Sequence, residues 1–295
     1  MGTSTPFSGT GGGTPLVPDW LNDGAAGAGG DGGPPATPPD GGPPATPQDG
    51  APPPAPAAHP APRIGDPDRF RAARVNFTKF ASSGGSDRRS LGRSISDYVS
   101  RSSGGSARAA QRMGSSRASA AGLVSFMREA AANGVQAALR TLNLQSLAGR
   151  PIEEVFTGLA DLICPEGGSI DEGIARDAFI ETIADMAEAG ITDIDALTPA
   201  QIQTVFELYV SHAIEARLCN DVGAKVISMP ADPKAAASVE AQLQDFIQRG
   251  VSDAVSAANV DIASLTEPAV RGFVDEVYRS AFEILQTLGE QEAEQ

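Results

Sequence analysis

Residues 198–213 of this chain read TPAQIQTVFELYVSHA, and they predict a helix that is buried along one face. Thr198 and Gln201 stand at the spacing of a capping box, and Pro199 takes the first helical position, where its missing N–H is tolerated. Apolar side chains then recur every three or four residues, which is the period of one face of an α-helix. They are Ile202, Val205, Phe206, Tyr209 and Ala213.

The neighbouring segments repeat this pattern. Ser169 and Glu172 form a second capping box, and the helix that they open is expected to stop at Gly190. Apolar residues with helical spacing also mark three further segments, while no segment keeps the period of two that a half-buried strand shows. The further segments are 152–163, in which Leu162 is counted on the inner face, 239–254 and 270–288.

The expected fold is therefore all-α. Residues 119–289 are predicted to form an acidic C-terminal bundle of five to seven helices, followed by a disordered tail over residues 290–295. About 170 residues of this kind are enough to bury a substantial core.

The chain before the bundle differs in composition and charge. The formal charge of −15 divides into −4 for residues 1–65, +8 for residues 66–128 and −19 for residues 129–295. Residues 21–65 contain nine-residue units such as DGGPPATPP and are predicted to be a disordered spacer, which reaches roughly 140 Å if it is fully extended. Residues 66–118, rich in Ser and Arg, are expected to hold one short, loosely docked helix between Asp87 and Arg101.

The residue inventory does not favour an enzyme or a cofactor-binding protein. No phosphate-binding loop, nucleophile elbow or zinc-ligand spacing is present, so no catalytic residue, metal or cofactor is predicted. The two cysteines, Cys164 and Cys219, are expected to be buried free thiols, and His212 a surface or half-buried helix residue. No apolar run reaches the roughly 20 residues of a membrane span, and no secretory signal is evident, so we expect a cytoplasmic protein.

The first twenty residues carry two features that a plain linker does not need. Gly2 is small enough for Met1 to be removed, which would expose an α-amino group with a pKa near 7.7–8.0 and no side chain to hinder its acylation. Pro6 stands where myristoylation requires Ser or Thr. An apolar island, Pro15–Trp20, contains the only tryptophan of the chain.

Several stretches resemble the QatB family of the Qat anti-phage defence systems. They are MGTS at the start, PLVPDWL from Pro15, RMGSSRASAAGL from Arg112, LNLQSLAGRPIEEVF from Leu142, LICPEGGSIDEGIARDA from Leu162 and AIEARLCNDVG from Ala213. The resemblance skips the Pro-rich spacer, and none of these stretches is a catalytic motif.

The resemblance implies three partners: a KAP-type P-loop ATPase (QatA-type), a QueC-like enzyme (QatC-type) and a TatD-like nuclease (QatD-type). It also implies that Gly2 is the acceptor of a 7-deazaguanine-type modification made by the QueC-like enzyme. The residues that this enzyme would recognise are Gly2, Thr3, Ser4, Pro15, Leu16, Val17, Pro18 and Trp20.

A nucleic-acid-binding adaptor is the alternative, with the basic segment as a phosphate-contacting arm. The opposing interpretation is that this segment lies against the acidic bundle or against an acidic partner. A secreted effector is a third and weaker option. The arginines of the arm would be Arg88, Arg89, Arg93, Arg101, Arg108, Arg112 and Arg117.

Overall fold

The computed structural model describes residues 66, 68–164, 168–223 and 230–295. The predicted N-terminal peptide, residues 1–20, and the predicted spacer, residues 21–65, lie outside the described residues. Within the described part, the chain forms ten α-helices and no strand, which confirms the all-α fold class.

The ten helices follow one another with short connections. They are α1 (Arg71–Ser82), α2 (Arg88–Asp97), α3 (Ser106–Gln111), α4 (Gly114–Asn133), α5 (Val135–Thr141), α6 (Ile152–Ile163), α7 (Ile170–Glu188), α8 (Pro199–Val222), α9 (Pro233–Ala258) and α10 (Glu267–Glu294). Between α2 and α3 the chain makes a π-helical turn, Tyr98–Ser102.

Helix α8 lies at the centre and packs against α7, α9, α4 and α1. Both predicted capping boxes are confirmed. The Thr198 side chain accepts from the Gln201 backbone N–H at the start of α8, and Ser169 does the same for Glu172 at the start of α7. All five apolar residues predicted for the inner face of α8 are buried.

The first three helices belong to the same core as the predicted bundle. The sequence predicted one loosely docked helix in residues 66–118, whereas the structure has α1, α2 and α3 there. Phe80, Leu91 and Ile95 are at most 1 % exposed, and α2 makes its most extensive packing against α10. Periodicity missed α1 and α3 because α1 interleaves its apolar residues with basic ones and α3 is only six residues long.

Three further details differ from the sequence-based expectation. The expected boundary at residue 119 falls inside α4, and α10 continues to Glu294 through most of the expected tail. Leu162, which was expected on the inner face of α6, is 47 % exposed, because it lies near the end of that helix.

Candidate functional site

The predicted modification and recognition residues, Gly2 to Ser4 and Pro15 to Trp20, lie outside the described residues. The sites that the structure does place are the arginines of the basic segment, a groove beside α4, and a group of titratable side chains on α7, α8 and α9.

The first two arginines of the basic segment reach across to the last helices. The Arg88 guanidinium lies 3.8 Å from carboxylate oxygens of both Asp245 on α9 and Glu292 on α10. Arg89 donates from Nε to the backbone oxygen of Ala293 at 2.9 Å. These contacts join the start of α2 to the end of α10.

Arg112 belongs to a buried polar network around Asp221, near the C-terminal end of α8. The Asp221 carboxylate oxygen Oδ2 accepts from the Tyr98 hydroxyl at 2.8 Å and from Arg217 Nε at 3.2 Å, and it lies 2.7 Å from Arg112 Nη2. The Asp221 side chain is only 7 % exposed. Arg217 also pairs with Asp171, so the network connects α7, α8 and the segment around α3.

The remaining arginines of the segment differ in whether they have an ion-pair partner. Arg101 pairs with Asp97 one turn earlier at 3.2 Å, and Arg117 pairs with Asp275 of α10 at 2.5 Å. Arg93 and Arg108 are exposed and make no hydrogen bond or ion pair with any residue that the structure describes.

The arginines of the basic segment thus add ion pairs to the apolar packing that joins this segment to the acidic bundle. Arg88, Arg112 and Arg117 are paired with carboxylates from α8, α9 and α10. This is the arrangement expected if the segment lies against the acidic part of the chain, and it leaves Arg71, Lys79, Arg93 and Arg108 as exposed cations that have no hydrogen bond or ion pair with a described residue.

A groove of about 920 Å³ runs between α4, α5, the end of α6 and the start of α10. Small side chains of α4 form its floor, including Ala118, Ala121 and Gly122, and the exposed Leu162 lies among its lining residues. Larger apolar residues complete the lining, namely Phe126, Leu142, Ile163, Val270 and Val274.

Two ion pairs join α4 to α10 along this groove. Arg117 pairs with Asp275, and Arg128 Nη2 lies 2.6 Å from an oxygen of Glu267. The two arginines are eleven residues apart, which places them on the same face of α4, about 16 Å from each other along the helix axis. Their side chains are 25 % and 20 % exposed, whereas those of Asp275 and Glu267 are 58 % and 64 % exposed. The carboxylates therefore form the outer edge of the groove.

A second group of titratable side chains surrounds Glu215 on α8. Burial, together with the negative charges of Glu240, Glu181 and Asp185, raises the pKa of Glu215 to about 7. His212 Nε2 lies 2.8 Å from Asp185 Oδ2, and it is more buried than the sequence indicated, with 8 % of its surface exposed.

Neither a metal centre nor a reactive thiol is evident in the part of the chain that the structure describes. No group of three or more His, Cys, Asp or Glu residues there could hold a metal ion. Cys164 and Cys219 are both free thiols, and burial raises the pKa of each, that of Cys219 to about 12. None of the described helices combines the length and the apolar character that a membrane crossing requires.

Sequence analysis identified Arg112 and Arg117 as functional candidates but missed the residues that face them. Asp221 is one of many acidic residues, and nothing in its local sequence marks it as buried. The spacing of charged residues could have indicated the edges of the groove. Arg117 and Arg128 share one face of α4, and Glu267, Arg271 and Asp275 recur every four residues on α10.

Comparison with known proteins gives one family match. The family model described as "Qat anti-phage system associated protein QatB" matches residues 104–285, which is more than half of the chain. Neither the search of curated proteins nor that of solved structures returned a match. The matched region begins just before α3 and ends inside α10, so it contains both walls of the groove.

Proposed function

Since the chain belongs to the QatB family and is therefore a component of a Qat anti-phage defence system, we propose that it acts as a non-catalytic subunit. Its helical domain docks partner proteins of the system, and its N-terminal peptide is presented to a QueC-like partner enzyme for a 7-deazaguanine-type modification. The observation that carries this proposal is the family match over residues 104–285.

The acceptor in this proposal is the α-amino group of Gly2. Removal of Met1 would expose an amine with a pKa near 7.7–8.0, so a substantial fraction is uncharged and nucleophilic at neutral pH, unlike the amine of a lysine. Thr3 and Ser4 present little steric bulk beside it. The apolar island at Pro15–Trp20 supplies a second contact by which the enzyme would recognise this peptide.

The partners proposed are the KAP-type P-loop ATPase, the QueC-like enzyme and the TatD-like nuclease, and the assembly is proposed to be cytoplasmic. Two features of the described domain support a docking role. Ion pairs of Arg88, Arg112 and Arg117 with carboxylates of the bundle fix the basic segment to it. The groove beside α4 remains open.

The mass of the intact chain tests the N-terminal part of this proposal. The chain is expressed alone, with its neighbouring Qat proteins, and with the same set carrying an inactivated QueC-like enzyme. We expect a mass increase that maps to the N-terminal peptide only when the active enzyme is present. An unmodified Gly2 amine in the complete set would contradict the acceptor role.

The nucleic-acid adaptor has less support as a second function. Among the described residues of the basic segment, the exposed cations without a hydrogen bond or an ion pair are Arg71, Lys79, Arg93 and Arg108, on α1, α2 and α3. A phosphate-contacting surface usually combines several such cations, each adding to the salt dependence of binding. DNA binding at low salt that is lost when all four are replaced by alanine would favour the adaptor.

A further inference from the structure

We infer that the groove between α4, α5 and the start of α10 binds a basic amphipathic α-helix of a partner protein. The inference rests on the proposed docking function and deepens it, because it names the surface and the chemistry of the segment that occupies it. The shape of the groove, its floor and its outer edge each contribute to the argument.

The length of the groove fits a short helix. From Arg117 to Arg128, the α4 wall extends about 16 Å, which corresponds to about three turns of an α-helix. The volume of the groove is about 920 Å³, and Ala118 and Leu162 in its lining are exposed to solvent. A small-molecule site of this size encloses most of its ligand. A groove of three turns with an exposed lining instead resembles the surfaces that receive the apolar face of a helix.

Part of the groove leaves room for large apolar side chains. Five of the nine α4 lining residues are small, and the apolar lining residues from other helices and loops include Leu142, Ile163 and Val270. Leu162 exposes 47 % of its surface among the lining residues. Burial of such a surface against leucine-sized side chains of a partner is favourable because it removes apolar area from water. The small residues on α4 are Gly114, Ala118, Ala121, Gly122 and Ser125.

The outer edge of the groove exposes two carboxylates, those of Glu267 and Asp275, and one cation, Arg271. Glu267 and Asp275 are 64 % and 58 % exposed, and the arginines that pair with them are mostly covered, so an approaching molecule meets the carboxylates first. The net charge of −19 over residues 129–295 favours the approach of a basic partner. Because Arg271 lies between the two carboxylates, the cations of the partner helix are expected to contact the two ends of the groove.

A substitution that fills the groove tests the inference directly. Binding of each purified Qat partner to the full chain is measured for the wild type and for Ala118→Trp, which places an indole ring in the groove from an exposed helix position. Ala257→Trp, at an exposed position of α9, is the matched control. We expect one partner to bind Ala118→Trp at least about tenfold more weakly, and to bind Ala257→Trp as it binds the wild type. Thermal melting establishes that both variants are folded.

Two helical peptides of 18 residues test the charge preference. One combines Leu and Lys and the other Leu and Glu, both with apolar residues at i, i+3, i+4 and i+7. The Leu/Lys peptide is expected to bind the full chain, to compete with the partner and to bind Ala118→Trp more weakly than Ala257→Trp. In the double variant Glu267→Gln/Asp275→Asn its affinity falls about three- to tenfold, and the salt dependence of binding decreases.

The outcomes separate the inference from the proposed function. If a partner binds the wild type and Ala118→Trp equally well, the groove is not the docking site, while the docking function stands. If no Qat partner binds the wild-type chain, the docking function fails and the inference fails with it. Preferential groove binding of the Leu/Glu peptide would overturn the assignment of a basic helix.

Discussion

The backbones of Gly92 and Gly289 pack directly against each other where α2 crosses α10. A Cβ atom added at Gly289 would lie 2.6 Å from the carbonyl oxygen of Gly92, and one added at Gly92 would lie 2.6 Å from that of Gly289. Neither distance is possible without a shift of the backbone. Glycine at both positions therefore allows the close approach that joins the early helices to the last one.

The Gly289→Ala substitution is expected to destabilise the protein by about 1–3 kcal/mol, because the added methyl group forces α2 and α10 apart. Gly272→Ala on the same helix is the matched control, since a Cβ there meets no atom within 4 Å. That substitution is expected to stabilise the protein by about 0.5–1 kcal/mol through helix propensity. Urea unfolding of both variants measures the difference, and equal effects would refute the packing argument.

The Asp221→Asn substitution is expected to cost about 1.5–3 kcal/mol in the free energy of unfolding. It removes the carboxylate that pairs with Arg112 and Arg217, while Arg217 keeps its ion pair with Asp171 and the Arg112 side chain is 21 % exposed. Asp245→Asn is the control, because Asp245 is 60 % exposed and its ion pairs are at the surface; a change within about 0.5 kcal/mol is expected there. Similar losses in the two variants would show that the network around Asp221 contributes no more than a surface pair.

Deletion of residues 1–113 is expected to yield a protein that aggregates or loses its cooperative thermal transition. The deletion removes α1, α2 and α3 and exposes the surface of α10 that Leu91 and Ile95 cover. Deletion of residues 1–65 is the comparison, since it removes none of the buried core residues that the structure describes. A cooperative transition in the shorter protein would mean that the early helices are separable from the bundle.

The sequence predicted the helices that carry strong local signals. Capping boxes at Ser169 and Thr198 and the apolar faces of α8 and α9 located these helices correctly, because capping and periodicity are determined by residues close together in the chain. The attachment of α2 to α10 depends instead on Gly92 and Gly289, almost 200 residues apart. A glycine in a helical pattern lowers the expectation of a helix and gives no indication of a close crossing.

The site was less predictable than the helices, because its contacts also join residues that are far apart in the chain. The charge difference between residues 66–128 and 129–295 suggested that the two parts contact each other. This charge difference could not indicate that Arg112 would pair with Asp221 or that Arg117 would pair with Asp275, because those ion pairs form only when the helices pack. The groove lies between four helices and corresponds to no continuous motif.

The Glu215→Gln substitution is expected to stabilise the protein more at pH 8 than at pH 5. The pKa of Glu215 is raised from 4.5 to about 7 in the fold, first by burial and then by Glu240, Glu181 and Asp185. Because the folded pKa is the higher one, the wild type loses stability as the pH rises through this interval and Glu215 ionises. The advantage of the glutamine should grow by about 2–3 kcal/mol between pH 5 and pH 8.

Urea unfolding at pH 5 and pH 8 measures this change. Glu207→Gln, elsewhere on α8, is the control for the effect of the same substitution on this helix. An advantage of Glu215→Gln that is constant with pH would contradict the raised pKa of Glu215. His212 lies on the same helix. The Glu215→Gln comparison is therefore also made in the His212→Gln background, in which no histidine is present on α8.

The charge of Glu215 should also control the reactivity of Cys219. The pKa of the Cys219 thiol is raised to about 12 by burial and then by the negative charges of Glu215 and Glu240. Since the thiolate is the reactive form, neutralising Glu215 lowers the pKa of this thiol and increases its reactivity.

In Glu215→Gln we expect Cys219 to react a few-fold faster with a disulfide reagent at pH 9, with Cys164→Ser present so that one thiol is followed. The control is Glu207→Gln in the same background. Equal rates in the two variants would show that Glu215 does not act on this thiol, and a reaction as fast as that of the unfolded chain would show that Cys219 is not protected by the fold.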